Sequence, residues 1–425
     1  MVKVSFTTQG CSSNMRESEL MAGLLDKSGY EIVENDSEIE VINICTVKGD
    51  KTALREIKRV QKEFPEKKIV VAGCISDSII QKIKGLDSSI SLVNTHNLGK
   101  ISAVVENSMN GAVLEILDKK YESKVELPSI RKNPVIGIVP ILNGCNYFCT
   151  FCSTKLIKGK LFSYPMDAIR NDVKEHLKSG CREIWITSND TGAYMVEQGG
   201  KQKIVELLDN ILSIPMDFML RVGMMNPGNT ITVLDELIEI YKNPKMFKFL
   251  HIPIQAGNNE VLKQMNRRYS VEDFVKIVEA FRKEIPDITI STDIIVGFPT
   301  ETEEQFNDSL NLIKKIRFDT VNISRYAARE GTIAAKMNQI PPEILKERSR
   351  EMTKVFYEIM LERNREWIGK KCKIIIDEIG TLEGSWIGRN ECYRPVIVKG
   401  NYRLGDILDV EIFDATKFDL RGEEY

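Results

Sequence analysis

Nine cysteines stand in this 425-residue chain, and three of them crowd into one short stretch. Asn143-Gly-Cys-Asn-Tyr-Phe-Cys-Thr-Phe-Cys152 sets Cys145, Cys149 and Cys152 in a C-x3-C-x2-C loop. Three thiolates on one loop can hold three irons of a four-iron cluster and leave the fourth iron open. An open iron can chelate the amine and carboxylate of S-adenosylmethionine. An electron from the cluster then breaks a carbon–sulfur bond, and the 5′-deoxyadenosyl radical abstracts hydrogen from unreactive carbon. The protein's task is to position the cofactor and exclude water. The rival is a structural zinc site, which wants four closed ligands. This loop offers three and no histidine nearby, since the chain holds only His96, His176 and His251. Cys181, Cys372 and Cys392 read as small core residues.

Such a loop must hang from the end of a strand, and the chain alternates strand and helix on both sides of it. In residues 1–110, Val2–Thr8, Val41–Ile44 and Ile69–Ala72 read as short buried strands. Glu17–Lys27 and Thr52–Phe64 read as the helices between them, an arrangement that predicts an open parallel α/β sheet. Cys11, Cys45 and Cys74 each follow one of those strands. Ligands of open parallel sheets bind along the carboxyl edge, so three cysteines would converge there.

Residues 111–133 read as a linker, with a hairpin in it. Residues 134–364 hold six strand–helix units, with strands at Val135–Leu142, Glu183–Thr187, Phe218–Val222, Phe247–Ile254, Ile288–Val296 and Thr320–Ser324. That predicts a partial (β/α)6 barrel. Ser270 with Asp273, and Thr300 with Glu303, mark two helix starts. Pro342–Trp367 reads as a long helix. In residues 365–425, short strands broken by Gly380, Gly384, Gly388, Gly400 and Gly405 predict a small antiparallel β-barrel. The fold class is α/β, in three units.

Hydrophobic residues make up 42% of the chain and charged residues 28%, ordinary for a globular protein with a sizeable core. No apolar run is long enough to span a membrane, and the start is a strand, not a signal peptide. No membrane association and a cytoplasmic location are the expectation. A net charge of −2 argues against a general nucleic-acid coat while allowing a local basic patch.

The cysteine loop resembles that of the radical S-adenosylmethionine superfamily. Thr8-Gln-Gly-Cys-Ser-Ser-Asn-Met-Arg-Glu-Ser-Glu19, Asn43-Ile-Cys-Thr-Val47 and Ala72-Gly-Cys74 resemble the three cysteine motifs of its methylthiotransferases. Ser153-Thr-Lys-Leu156, Ile186-Thr-Ser-Asn-Asp-Thr-Gly-Ala-Tyr194, Leu220-Arg-Val-Gly-Met-Met-Asn-Pro227 and Leu250-His-Ile-Pro-Ile-Gln255 are similar to the archaeal and eukaryotic threonylcarbamoyladenosine tRNA methylthiotransferases. The C-terminal barrel resembles their RNA-binding TRAM domain. There are departures: Lys158-Gly159 stands where the family usually has Arg-Gly. Gly297-Phe-Pro-Thr-Glu-Thr302 and Tyr326-Ala-Ala-Arg-Glu-Gly-Thr332 also differ from the usual strings.

The resemblance implies two 4Fe-4S clusters, one on Cys11, Cys45 and Cys74 and one on Cys145, Cys149 and Cys152. It implies two molecules of S-adenosylmethionine, one donating methyl to sulfur and one giving the radical. The substrate would be the anticodon stem-loop of a tRNA, modified at carbon 2 of an adenine. A reducing electron donor and a sulfur source would be needed. Phe151 would flank the adenosyl group, or else pack locally. Ser188, Asn189 and Asp190 would bind the methionine or ribose groups, or else form a cap or turn. Arg221, Gln255 and Asp293 are polar strand-end candidates for cofactor binding, or else satisfied interior groups. His251 reads as structural. Lys158 and Arg329 are candidates to meet the threonylcarbamoyl carboxylate. One rival is a methylthiotransferase for isopentenyl-adenosine tRNA or a ribosomal-protein aspartate. Another is a non-catalytic, zinc-filled RNA-binding protein.

Overall fold

The computed structural model describes residues 1–425. The N-terminal sheet is all parallel, in the order Glu31–Ile32, Lys3–Thr8, Ile39–Ile44, Lys68–Gly73, Ser91–Asn94, Glu115–Ile116. Ile39–Ile44 is buried along its whole length, as a central strand covered on both faces must be. The first helix runs Ser12–Lys27 and starts five residues before the apolar periodicity suggests. Its first two turns carry polar residues that are nonetheless buried, among them Asn14, Arg16 and Glu17. The expected hairpin in residues 111–133 is absent. Glu115–Ile116 instead pairs in parallel with Ser91–Asn94, so the start of that stretch belongs to the sheet.

The central unit has six parallel strands in two segments. Ile136–Pro140, Glu183–Thr187 and Met219–Val222 form one; Phe249–His251, Thr289–Val296 and Thr320–Arg325 form the other. A parallel bridge from Leu220 to Met246 joins them into a partial barrel. The helix Val271–Glu284 opens on a full capping box between Ser270 and Asp273. The next helix, Glu303–Ile316, does not start at Thr300. Thr302 and Gln305 form its box, while Thr300 sits at φ 73° in a turn, bonded to Gln264.

A 24-residue helix, Pro342–Arg365, leads to a closed five-stranded barrel. Four of its pairings are antiparallel, but the seam between Pro395–Lys399 and Leu420–Glu424 is parallel, which the sequence pattern did not foretell. This barrel docks on the central unit through Asp319, a buried carboxylate that faces Arg282, Arg363 and Arg394. The N-terminal unit docks through Arg16, whose guanidinium meets Asp172 at 3.2 Å, both buried.

Candidate active site: two cysteine groups on facing edges

Cys11, Cys45 and Cys74 follow the ends of three hydrogen-bonded neighbours, Lys3–Thr8, Ile39–Ile44 and Lys68–Gly73. Parallel pairing in register puts all three at one edge. Gly73 has φ +98°, and a Cβ there would run into Asn43 Oδ1 and the Ile44 carbonyl, so the chain can pass Cys45's strand only as glycine. Asn14 donates to Asn43 Oδ1 and to the Ile44 carbonyl, both at 3.1 Å, tying the helix after Cys11 to the strand before Cys45. Cys11 is exposed; Cys45 and Cys74 are buried. Burial pushes the Cys74 thiol up to about 12; Lys158 opposes this, and Glu17, Cys45 and Cys11 add to it. Gly10, next to Cys11, passes so close to Cys45 that a Cβ there would clash with its side chain.

The second group lies on one loop after Ile136–Pro140. Gly144, at φ +78°, lets the loop cross the Lys160 carbonyl, where a Cβ would clash. Cys145, Cys149 and Cys152 are half-buried. Burial pushes Cys145 up to about 12, with Asp190, Cys149 and Cys152 adding to it. The loop is clamped from across the barrel. Thr150 N donates to the Met265 carbonyl at 3.1 Å, and Asn266 Nδ2 donates to the Phe148 carbonyl at 2.8 Å. Arg267 Nη1 donates to Cys149 Sγ at 3.2 Å.

The two edges face each other. Ser12, next to Cys11, shares a hydrogen bond of 2.7 Å with Thr187 at the end of a barrel strand. Thr46, next to Cys45, shares one of 3.1 Å with Ser153, next to Cys152. Arg329 Nη2 donates to the Val47 carbonyl at 2.8 Å, two residues beyond Cys45. Lys158 reaches from the helix that follows the cysteine loop to Glu17 Oε1 at 2.8 Å and Thr95 Oγ1 at 2.6 Å. Lys124 binds the same two atoms at 2.7 and 2.8 Å.

That last arrangement corrects one expectation. Lys158 is 4% exposed and spends its ammonium on Glu17, so it does not offer itself to a substrate carboxylate. It also tests the fit of an anionic iron–sulfur group beside it. Two buried ammoniums share one carboxylate oxygen, and Glu17 Oε2 has no partner. One buried positive charge is therefore left over, and a buried charge needs a counter-charge. Burial works against the ionisation of Lys158, but Cys74, Glu17 and Cys11 together hold it up. Thiolates of a cluster held by Cys11, Cys45 and Cys74 would supply the missing negative charge. No three His, Cys, Asp or Glu side chains close on a single ion anywhere in the chain. A four-iron cube holds its thiolates further apart than one zinc ion does.

Other expected residues divide. Gln255 lies at the mouth of the barrel with φ 74°, a strained conformation for a side-chain-bearing residue. Asp293 faces the lumen, where Asn322 Nδ2 donates to it at 2.7 Å and His251 Nε2 lies 3.2 Å away. Burial works against its ionisation, yet His251 and Asn322 hold the carboxyl below its ordinary range. Ser188 Oγ accepts from Asp190 N at 3.1 Å, and Asn189 stays half-exposed beside the junction of the two units. Phe151 is half-buried with its ring edge-on to Phe298. Asp190 is a positioning group: its oxygens accept from Asn226 N at 2.9 Å and Asn229 Nδ2 at 2.7 Å, both buried. Arg221 is a second correction. Its guanidinium lies about 5 Å from the rings of Trp185, Phe249 and Tyr393, the last from the C-terminal barrel. It locks two units together. Arg267 and Asn322 escaped the sequence reading; His251, read there as structural, stands against Asp293. Polar residues alternating inward on barrel strands are the signal for His251 and Asn322; nothing local marks Arg267.

Comparison with known proteins agrees with this architecture. Residues 3–94 match the Uncharacterized protein family UPF0004, 139–313 the Radical SAM superfamily and 365–423 the TRAM domain. Three relatives have names containing the words threonylcarbamoyladenosine tRNA methylthiotransferase. The one from Pyrococcus horikoshii is 40% identical over 100% of this chain and 99% of its own. The one from Archaeoglobus fulgidus is 40% identical over 97% and 96%. The one from Homo sapiens is 35% identical over 99% of this chain and 74% of its own. The chain belongs to the threonylcarbamoyladenosine tRNA methylthiotransferase family. Among solved structures, the fold of this methylthiotransferase family member is similar to a radical S-adenosylmethionine methyltransferase, TsrM, from Kitasatospora setae. The TM-score is 0.57 at 12% identity, covering 79% of this chain and 73% of that one. No helix is long and apolar enough to cross a membrane.

Proposed function

We propose that this chain adds a methylthio group to carbon 2 of N6-threonylcarbamoyladenosine beside the anticodon of a tRNA. One observation carries the reading: two groups of three cysteines stand on facing strand edges, joined by the Ser12–Thr187 and Thr46–Ser153 contacts. Sulfur insertion needs a sulfur-bearing centre and a radical-generating centre to meet one carbon. Cys11, Cys45 and Cys74 are assigned to the first 4Fe-4S cluster, and Cys145, Cys149 and Cys152 to the second. When bound, the clusters and S-adenosylmethionine supply the radical, the sulfur and the methyl group.

The chain's own residues do the rest. Gly73 and Gly144 let the two loops reach their positions. Lys158, Lys124 and Glu17 set a positive charge under the sulfur-bearing edge. Phe151, Ser188, Asn189, Gln255 and Asp293 line the barrel mouth as candidates for S-adenosylmethionine, with Asp190 positioning the loop that carries Asn226. Arg329 spends one donor on Val47 and keeps others for the threonylcarbamoyl carboxylate. A reducing electron donor and a sulfur source serve the reaction, in the cytoplasm. Mass spectrometry of tRNA nucleosides from cells with and without this protein tests the reading. The methylthio derivative should vanish in its absence, and its persistence would refute the assignment.

A further inference from the structure

We propose that Arg267 is a positioning residue that raises the reduction potential of the cluster on Cys145, Cys149 and Cys152 through a fixed hydrogen bond to Cys149. The inference rests on the assignment of that cluster made above. Arg267 comes 118 residues after Cys149 in sequence, yet Nη1 donates to its sulfur at 3.2 Å. The guanidinium is held from every side. Nη2 donates to the Pro253 carbonyl at 3.3 Å and Nε to Tyr269 Oη at 2.8 Å. The Tyr269 hydroxyl lies within 3.0 Å of the Pro253 carbonyl and 2.8 Å of the Ile254 carbonyl, and its ring packs under the guanidinium at 5.2 Å. A planar fork gripped at three points has little freedom to leave the sulfur.

The geometry separates charge from mere support. The loop is already clamped by Thr150 N on Met265 O, Thr150 Oγ1 on Gln264 O, and Asn266 Nδ2 on Phe148 O. Those three neutral bonds fix the backbone. Among the side chains bonded to this loop, Arg267 brings its positive charge to a ligand sulfur, whereas Lys155 stops at the Cys145 carbonyl. Reduction adds an electron, so a fixed positive charge and a donor at the sulfur favour the reduced state and raise the potential. Arg267 and Cys149 are both half-buried, so water screens the effect only in part.

The test is an anaerobic redox titration followed by electron paramagnetic resonance on the full chain. Cys11→Ala, Cys45→Ala and Cys74→Ala together leave one cluster to observe. In that background Arg267→Met should keep four irons and shift the one-electron equilibrium toward the oxidised state by at least tenfold, about 59 mV. Arg267→Lys keeps the charge and loses the fork, and should fall between. An unchanged potential in Arg267→Met with its iron retained would overturn the proposal. Loss of iron in both variants would overturn it too, leaving Arg267 a strut. Absence of any iron–sulfur signal in the parent chain would instead sink the cluster assignment.

Discussion

The two cysteine groups solve one problem by opposite means. Cys145, Cys149 and Cys152 sit within eight residues of one loop, so the local chain already holds them near one another. Cys11, Cys45 and Cys74 span 64 positions and meet only because three parallel strands lie side by side in register. The first group is local and clamped from outside by Gln264–Arg267. The second is made by the sheet and backed by buried charge. A local site should fail through its ligands, a distributed site through its scaffold as well.

The largest effect should come from the ligands. Cys149→Ala should abolish 5′-deoxyadenosine release under reducing, anaerobic conditions, and wild-type release would contradict the assignment. Cys45→Ser should hold about half the iron, since one of two equal clusters is lost. It should still release 5′-deoxyadenosine and form no methylthio-nucleoside. Full iron with normal product would break the two-site comparison.

Next comes the scaffold. Gly73→Ala puts a Cβ against Asn43 and a side chain at positive φ, and should cost about 2–4 kcal/mol in the N-terminal unit. Iron analysis should show loss at the sulfur-bearing edge only. Gly144→Ala should show the reverse. If either variant loses both clusters equally, the two sites are less independent than the fold suggests.

In the cluster-loaded chain Lys158→Met should lower thermal stability by about 1–3 kcal/mol, because the sulfur-bearing edge loses its surplus positive charge while Glu17 keeps Lys124. It should weaken iron retention at Cys11, Cys45 and Cys74 more than at the other group. Lys158→Arg should restore both. Equal iron retention in Lys158→Met would show that the buried charge is not tied to the sulfur-bearing edge.

The smallest effect is a control at a joint that carries no cluster cysteine. Glu183 and Asp377 are buried together where the barrel meets the C-terminal unit, and burial, then mutual repulsion, holds the Glu183 carboxyl above its ordinary range. The folded state therefore keeps a proton that the unfolded state releases. Stability should be fullest below the ordinary glutamate range and fall as pH rises above it. Glu183→Gln should flatten that fall, seen in melting temperature against pH, and leave the iron content of both groups unchanged. Loss of iron in this variant would mean that the C-terminal joint reaches the cysteine sites.

Local chemistry is legible from the order of residues. Three thiols within eight residues cannot scatter, and a strand before each of Cys11, Cys45 and Cys74 announces a shared edge if the sheet is parallel. Six alternating strands and helices were likewise readable, because burial on both faces leaves continuous apolar runs. Tertiary structure alone decided what faces what. Lys158 looked like a free cation after the loop, and only packing against Glu17 and Lys124 turned it inward. Arg221 looked like a cofactor contact until Tyr393, 172 positions away, covered its guanidinium. Arg267 carried no local mark at all, since a hydrogen bond across 118 residues has no periodicity to leave in a sequence. Periodicity records which face of an element is buried; it does not record which neighbour buries it.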